Sequence, residues 1–598
     1  MKKREEILAA VLKDSGLRQT IESLAISGGE DERALVKKTR RYFLEIASDY
    51  NERWLYLWDK VLSRLWTTMY DDFVVDQAGM EKIREISRKM PLVVVPCHRS
   101  HVDYLILSYI LFKNGITLPL IAAGKNMDFW PLGYFFRQSG AFFLRRSFQG
   151  NKLYSEVFAS YVRQLLKEGI PLEFFIEGGR SRTGKMITPK YGMLSMIIHA
   201  YQEKVCDDLA LIPVSLGYDR IVEEASYLRE LRGVPKKRES VRDILRTARL
   251  IGKRYGRAYL SVGTPIFLKT YFSSHPSDFA DMDYAGKQSL YRNIGCGIVS
   301  EINRVSAVSP TALLAACFLC HGAKETPEDL LAELFTAFYD YLSKRGVNFA
   351  PALSATKQEI LSAAGDLLCR SGYISAVRME EGQQEKAIYL LDDEKRLNLE
   401  YYKNNIIHHF LAISFVAAAV LGHSEKEIPG TRLREDYCFL KRLFRQEFIL
   451  GNDDESEIKS ALSYLESCGI LTGNGEGGFR REGGAEEKLM PFAGLTRSCR
   501  ESYGVVFNAC RQVNDAWKGE KNSLNHIRRL AQEMYEKGDI ARTESMSDAS
   551  YTNALKFLEE EGIINYGSPS GKGTGEGLFQ VADEDRLENL RHRLSNFL

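Results

Sequence analysis

No run of about 18 or more apolar residues occurs along the 598-residue chain, so the sequence predicts no membrane-spanning helix. The nearest approach is FLAISFVAAAVL, residues 410–421, whose length suits a buried core helix better than an interfacial one. Excess charge is missing too: 81 Lys and Arg against 79 Asp and Glu leave +2, so nothing global signals a nucleic-acid partner or a charged tail. The ten cysteines are scattered, and the opening MKKREEILAAVLKDSG is too short in its apolar part and too broken by charge for a signal peptide. A reducing cytoplasm is the expected compartment. Cys317, Cys320 and His321 have the haem-attachment spacing, but they sit in an apolar helix-like run, so no haem is expected, and no other grouping has the pattern of a metal site.

What is present, 44% hydrophobic and 27% charged residues, is enough for several globular domains. Residues 1–88 read as a helical lead-in: Ile21, Leu24, Leu35, Phe43, Leu44 and the tryptophans from Trp54 to Trp66 fall at helical intervals between basic residues. Such helices form a packed bundle or lie on a membrane. Residues 89–270 alternate strand-like runs (92–95, 118–121, 141–144, 171–176, 209–214, 258–262) with helical ones (152–167, 192–202), which argues for an α/β domain with a largely parallel sheet. Residues 271–598 turn helical again, and one motif recurs there. LLCRSGYI (367–374), LSYLESCGIL (462–471) and LKFLEEEGII (555–564) each read as a helix end, a glycine cap and a strand start, the outline of a winged-helix unit.

The chemistry concentrates around PLVVVPCHRSHVDYLILSYIL, residues 91–111. A β-branched run ends at Pro96, and a dense apolar run after Asp103 is too long for a second strand. The polar cluster therefore falls where a strand hands over to a helix, the end of an open α/β sheet at which ligands bind. With His98 in the turn and Asp103 in the first helical turn, the carboxylate can hold one imidazole nitrogen and leave the other basic. Ser100 to Asp103 also fits a capping box, and His101 is a competing base whose two-residue spacing does not face Asp103 on a helix.

GAFFLRR (140–146) is a strand ending in Arg145 and Arg146, of which alternation sends only one to a given face. FFIEGGRSRTGK (174–185) is denser: two adjacent glycines admit an anion to backbone N–H groups, and Arg180, Ser181, Arg182 and Thr183 add donors, though not in P-loop order. A third strand carries Pro213 and continues SLGYD. Residues 229–257 hold eleven basic against three acidic side chains and should attract phospholipid headgroups, the phosphates of coenzyme A or an acidic carrier protein.

These four blocks, PCHRSHVDYL, NMDFWPLGYFFRQSGAFFLRRSFQGNKLY, FFIEGGRSRTGK and LIPVSLGYDRIVEE, resemble in this order the glycerolipid acyltransferases. The likeness is to the bacterial members that act on the sn-1 hydroxyl of glycerol 3-phosphate, with the dihydroxyacetone-phosphate members close behind. YYKNNIIHHF (401–410) extends it into the second half of the chain. The resemblance implies His98 as general base and Asp103 as its orienting carboxylate, with Arg146, Glu177, Gly178, Arg180 and Ser181 at glycerol-phosphate positions and Pro213 at the acyl donor. It implies acyl-CoA or acyl-acyl carrier protein as cosubstrate, no other cofactor, and work at the cytoplasmic face of the bacterial membrane as a peripheral protein. The competing readings are a thioesterase built from similar parts and, from another class, a winged-helix nucleic-acid binder. The second would need a recognition helix rich in Arg and Lys, whereas residues 455–466 and 548–561 are neutral to acidic, so no nucleic-acid partner is expected.

Overall fold

The computed structural model describes residues 3–145, 150–231, 253–275, 279–381, 384–451, 453–475, 477–512, 523–566 and 579–598. They divide into two compact units, one of Met1–Arg180, Thr188–Val222 and Lys237–Ser306, the other of Ser181–Ile187, Glu223–Lys236 and Ala307–Leu598.

The first unit is built on an eight-stranded sheet: β1 (Asp72–Val75), β2 (Leu92–Pro96), β3 (Leu120–Gly124), β4 (Ala141–Leu144), β5 (Leu172–Glu173), β6 (Ala210–Tyr218), β7 (Arg257–Val262) and β8 (Ile266–Phe267). The order is β1-β7-β6-β2-β5-β3-β4, with β8 also on β6. The run from β4 to β6 is parallel, and only β6 with β7 and β8 is antiparallel. All five residues of β2 are buried, as its unbroken apolar run requires in a strand covered on both faces. Helices α1 (Arg4–Val11), α2 (Ser15–Gly28), α3 (Glu32–Ile46) and α4 (Glu52–Met69) precede the sheet. Next come α5 (Gln77–Ser87), α6 (Asp103–Lys113), α7 (Leu132–Gln138), α8 (Lys152–Lys167) and α9 (Gly192–Gln202).

Three expectations need correcting. The lead-in is not all helical, because Asp72–Val75 pairs in parallel with β7 at the sheet edge. Of the strand expected at 171–176, only Leu172–Glu173 stays in the sheet. The strand expected to stop at 214 runs on to Tyr218, held by antiparallel pairing from Val214↔Val262 to Tyr218↔Ala258.

In the second unit a strand–helix–helix–hairpin pattern recurs. β9 (Glu325–Pro327) leads through helices Glu328–Lys344 and Lys357–Arg370 to β10 (Ser375–Glu381) and β11 (Gln384–Leu390), with β11 central. β12 (Glu427–Pro429), helices Gly430–Leu443 and Asp454–Ser467, then β13 (Leu471–Gly473) and β14 (Gly478–Arg481) repeat it, with β14 central. Helices Ser523–Lys537 and Asp548–Glu560 with β15 (Ile564–Tyr566) and β16 (Phe579–Val581) give a shortened third copy. The three glycines of the recurring motif, Gly372, Gly469 and Gly562, all take the left-handed conformation that ends a helix (φ +71, +63 and +68°). Helices Pro310–Cys320 and Leu411–Leu421 form the core, the second of them buried at every position from Leu411 to Val420. A helix apolar all round belongs inside, and residues 410–421 therefore offer no face to a bilayer.

Candidate active site

β2 and β5 are adjacent and parallel, Val93 beside Leu172 and Val94 beside Glu173, so the segments that follow them leave the sheet at the same edge. The turn after β2 carries His98, and α6 opens on Asp103. His98 Nδ1 lies 2.9 Å from Asp103 Oδ2. The same oxygen accepts the backbone N–H groups of Arg99 (2.6 Å) and Ser100 (2.9 Å). Asp103 is fully buried, and a carboxylate out of water is tolerable only when its lone pairs are filled this way. The capping box expected from Ser100 to Asp103 does not form, because the N-cap is Val102 and Asp103 is the first helical residue; its carboxylate takes the Ser100 N–H and the imidazole beside it. His101 is two residues from Asp103, and the imidazole that the carboxylate meets is that of His98.

A fourth partner was not expected from the sequence. The Tyr218 hydroxyl, at the end of β6, donates to Asp103 Oδ1 at 2.5 Å. Burial and then the Asp103 charge push the phenol well above its ordinary value, so it stays a donor. The signal was the SLGYD string, unusable without knowing that the strand continues through Gly217. Phe175 was missed as well; its ring stacks on the imidazole with centroids 4.0 Å apart. Cys97, next to His98, is no nucleophile: burial pushes its thiol up to about 11, and it donates to the Leu216 carbonyl.

The chain leaving β5 folds back toward the histidine. Glu177, 1% exposed, accepts the His98 backbone N–H at 2.7 Å through Oε1. Gly178 follows in the left-handed conformation (φ +62°) that a turn closing on Phe175 O requires. Arg180 is buried and ends this part of the first unit. Ser181 falls in the second unit, where its hydroxyl donates to Lys185 O at 2.6 Å. Pro213 lies on β6 opposite Val95, three residues before His98 in the neighbouring strand. Arg146 and most of the basic segment 229–257 lie outside the described residues. The neighbouring Arg145 is engaged elsewhere, in a two-pronged pair with Glu45 (2.6 and 2.8 Å) that draws this carboxyl down to about 2. No group of three or more His, Cys, Asp or Glu side chains poised for a metal occurs among the described residues.

Glu173 is anomalous. It sits mid-sheet between Val94 and Ile121, fully buried, and neither carboxyl oxygen has a hydrogen-bond partner. Burial, and then the Asp103 charge, raise it well above the carboxylate range, so it is held neutral. The folded protein keeps this proton after the unfolded chain has lost it, so the group's contribution to stability falls as pH rises above the unfolded value of about 4.3. Glu173→Met should therefore stabilise the protein by about 1–3 kcal/mol at neutral pH. The gain should be larger at pH 8 than at pH 5.5 in denaturant titrations. A pH-independent gain would contradict the neutral-acid assignment.

Two sequence-family models match the chain: one described as acyltransferase covers residues 75–217, and one described as glycerol-3-phosphate acyltransferase C-terminal region covers residues 227–567. Relatives named glycerol-3-phosphate acyltransferase include that of Pseudoalteromonas atlantica, 34% identical over 99% of this chain and 73% of the relative. That of Shewanella amazonensis is 30% identical over 97% and 70%, and that of Haemophilus influenzae 31% over 76% and 56%.

Proposed function

The chain belongs to the glycerol-3-phosphate acyltransferase family, and from that premise we propose how it acylates glycerol 3-phosphate. A fatty acyl group passes from the thioester of acyl-CoA or acyl-acyl carrier protein to the sn-1 hydroxyl, giving 1-acyl-sn-glycerol 3-phosphate, the entry to phospholipid synthesis. The observation that carries the reading is the His98–Asp103 pair at the end of β2, beside the turn that bears Glu177. With Nδ1–H donated to Asp103, the tautomer is set and Nε2 is the basic nitrogen. It takes the hydroxyl proton as the oxygen attacks the thioester carbonyl; the tetrahedral adduct then expels the thiolate, which leaves with the proton from the imidazolium. Asp103 stabilises that imidazolium. Gly178, Arg180, Ser181 and Arg146 are the residues we assign to the acceptor phosphate, and Pro213 to the acyl donor. No cofactor beyond the cosubstrate enters the scheme.

The test is thiol release from palmitoyl-CoA by the purified protein with phospholipid present, comparing no acceptor, glycerol 3-phosphate and dihydroxyacetone phosphate, with the lipid product analysed. Release that depends on glycerol 3-phosphate and yields the 1-acyl product is expected. Release without acceptor would mean a thioesterase, and preference for dihydroxyacetone phosphate would move the acceptor assignment.

We place the reaction at the cytoplasmic face of the membrane, with the protein attached peripherally. No described helix is long and apolar enough to span a bilayer. The supporting feature is α4, whose exposed side carries Tyr56, Leu57 and Val61 between Arg53, Lys60 and Arg64. An apolar stripe edged by cations matches an anionic lipid interface. Tyr56→Glu combined with Leu57→Glu should weaken sedimentation with anionic vesicles about tenfold while leaving the melting temperature unchanged. Undiminished binding would remove α4 from the interface.

A further inference from the structure

Asp103 divides its two oxygens between different neighbours. Oδ2 takes the imidazole and the Arg99 and Ser100 N–H groups, while Oδ1, which none of these reaches, accepts the Tyr218 hydroxyl at 2.5 Å. A short bond from a hydroxyl to an ionised carboxylate is among the strong ones. The last torsion of an aspartate has broad wells, so a carboxylate turns easily unless both of its oxygens are held. The imidazole depends on that orientation. Stacking on Phe175 sets the plane of the ring, and the bond to Asp103 sets its direction within that plane.

Tyr218 is placed to do this from outside the turn. It ends β6, pairs with Ala258 of β7, is 4% exposed, and has its ring beside that of Tyr70 with centroids 6.1 Å apart. Its hydroxyl therefore comes from a rigid strand, which holds a group more precisely than a loop does. The same strand grips the start of the turn: the Cys97 N–H donates to the Val214 carbonyl at 3.0 Å, and the Cys97 thiol to the Leu216 carbonyl. β6 thus ties down the turn after β2 at Cys97 and again at Asp103, on either side of His98. All of these residues lie in the first unit.

We propose that Tyr218 is a positioning residue for proton removal: acting through Asp103, it fixes the direction in which His98 presents Nε2 and draws part of the carboxylate's charge away from the imidazole. The inference rests on the reading of His98 as the general base. Other titratable or charged groups near the pair are Cys97, Arg99 and His101 in the same turn, Glu173 on β5, Glu177 beyond it, and Tyr70 ahead of β1. Burial holds Cys97 and Glu173 neutral. Losing the Tyr218 donor leaves more of the Asp103 charge to the imidazolium, which favours the protonated base, so activity should fail at a higher pH on the acid side.

Tyr218→Phe removes the hydroxyl and keeps the ring. It should lower the plateau kcat about tenfold, hold both KM values within about twofold of the parent, and move the acid limb of kcat/KM up by about half a pH unit. In a His98→Ala background the same change should alter the residual kcat by less than about twofold, because its effect travels through the imidazole. If Tyr218→Phe does not fold, 3-fluorotyrosine in place of Tyr218 keeps the shape and donates more strongly, and the acid limb should then move down. A folded Tyr218→Phe with parental kcat or an unmoved acid limb overturns the proposal. So does a further tenfold loss in the His98→Ala background, or an unmoved limb in the fluorotyrosine protein. Failure of the underlying reading looks different: His98→Ala by itself would keep parental turnover.

Discussion

Replacing His98 by alanine should lower kcat by about 10² to 10⁴, the usual worth of a general base, and cost about 1–3 kcal/mol of stability, because buried Asp103 loses one of its four donors. The imidazole is 18% exposed, in the turn after β2, and Asp103 keeps its bonds to the Arg99 and Ser100 N–H groups and the Tyr218 hydroxyl when it is removed. The variant is therefore expected to fold, bind both substrates with KM values near those of the parent, and fail at proton removal. Steady-state kinetics with palmitoyl-CoA and glycerol 3-phosphate would read this directly. Turnover within a few-fold of the parent would rule out the histidine as the base and direct attention to His101 in the same turn.

Asp103→Asn should be as damaging to turnover and more damaging to the fold. An amide can present its oxygen to some of the donors, but no longer a charge to the imidazolium, and its NH₂ group must face an N–H or the Tyr218 hydroxyl. A kcat loss of about 10² to 10⁴ is expected from the lost tautomer and lost charge. About 2–4 kcal/mol of stability should go with it, because four converging donors are left imperfectly paired. Since the two residues act as one device, the double variant His98→Ala with Asp103→Asn should be barely slower than His98→Ala alone. Multiplied losses would mean that Asp103 also serves the reaction by a route other than the histidine.

The His98–Asp103 geometry was legible because it is local: a strand, a turn and a helix entrance within a dozen residues, each announced by Pro96, the polar cluster and the apolar run that follows. The glycine caps of the recurring C-terminal motif were legible for the same reason. What escaped depends on distant pairing. Tyr218 reaches Asp103 only because β7 extends β6 by four residues beyond Val214. β1 is four residues long, and its only described strand partner is β7, nearly two hundred residues away. Phe175 read as strand continuation within 171–176, yet the chain leaves the sheet after Glu173, so that Phe175 and Glu177 turn back on His98. Glu173 read as part of an apolar strand because nothing in the neighbouring sequence shows that its carboxyl finds no partner.

The anchoring of residues 181–187 within the second unit also sets a clock on biosynthesis: Asn404 donates to the Thr183 carbonyl, and Glu447, itself held by Ser550 and Asn553, pairs with Lys185. Lys185 leaves the ribosome long before Asn404, Glu447, Ser550 and Asn553, the last of them about 370 residues later. At about 5–20 residues per second the interval is roughly 20–75 s. Through that time the nascent chain carries a complete β2 turn with its histidine and aspartate, while residues 181–187 have none of these distant partners. A chain released early would hold the His98–Asp103 pair but lack the partners that residues 183 and 185 find within the second unit.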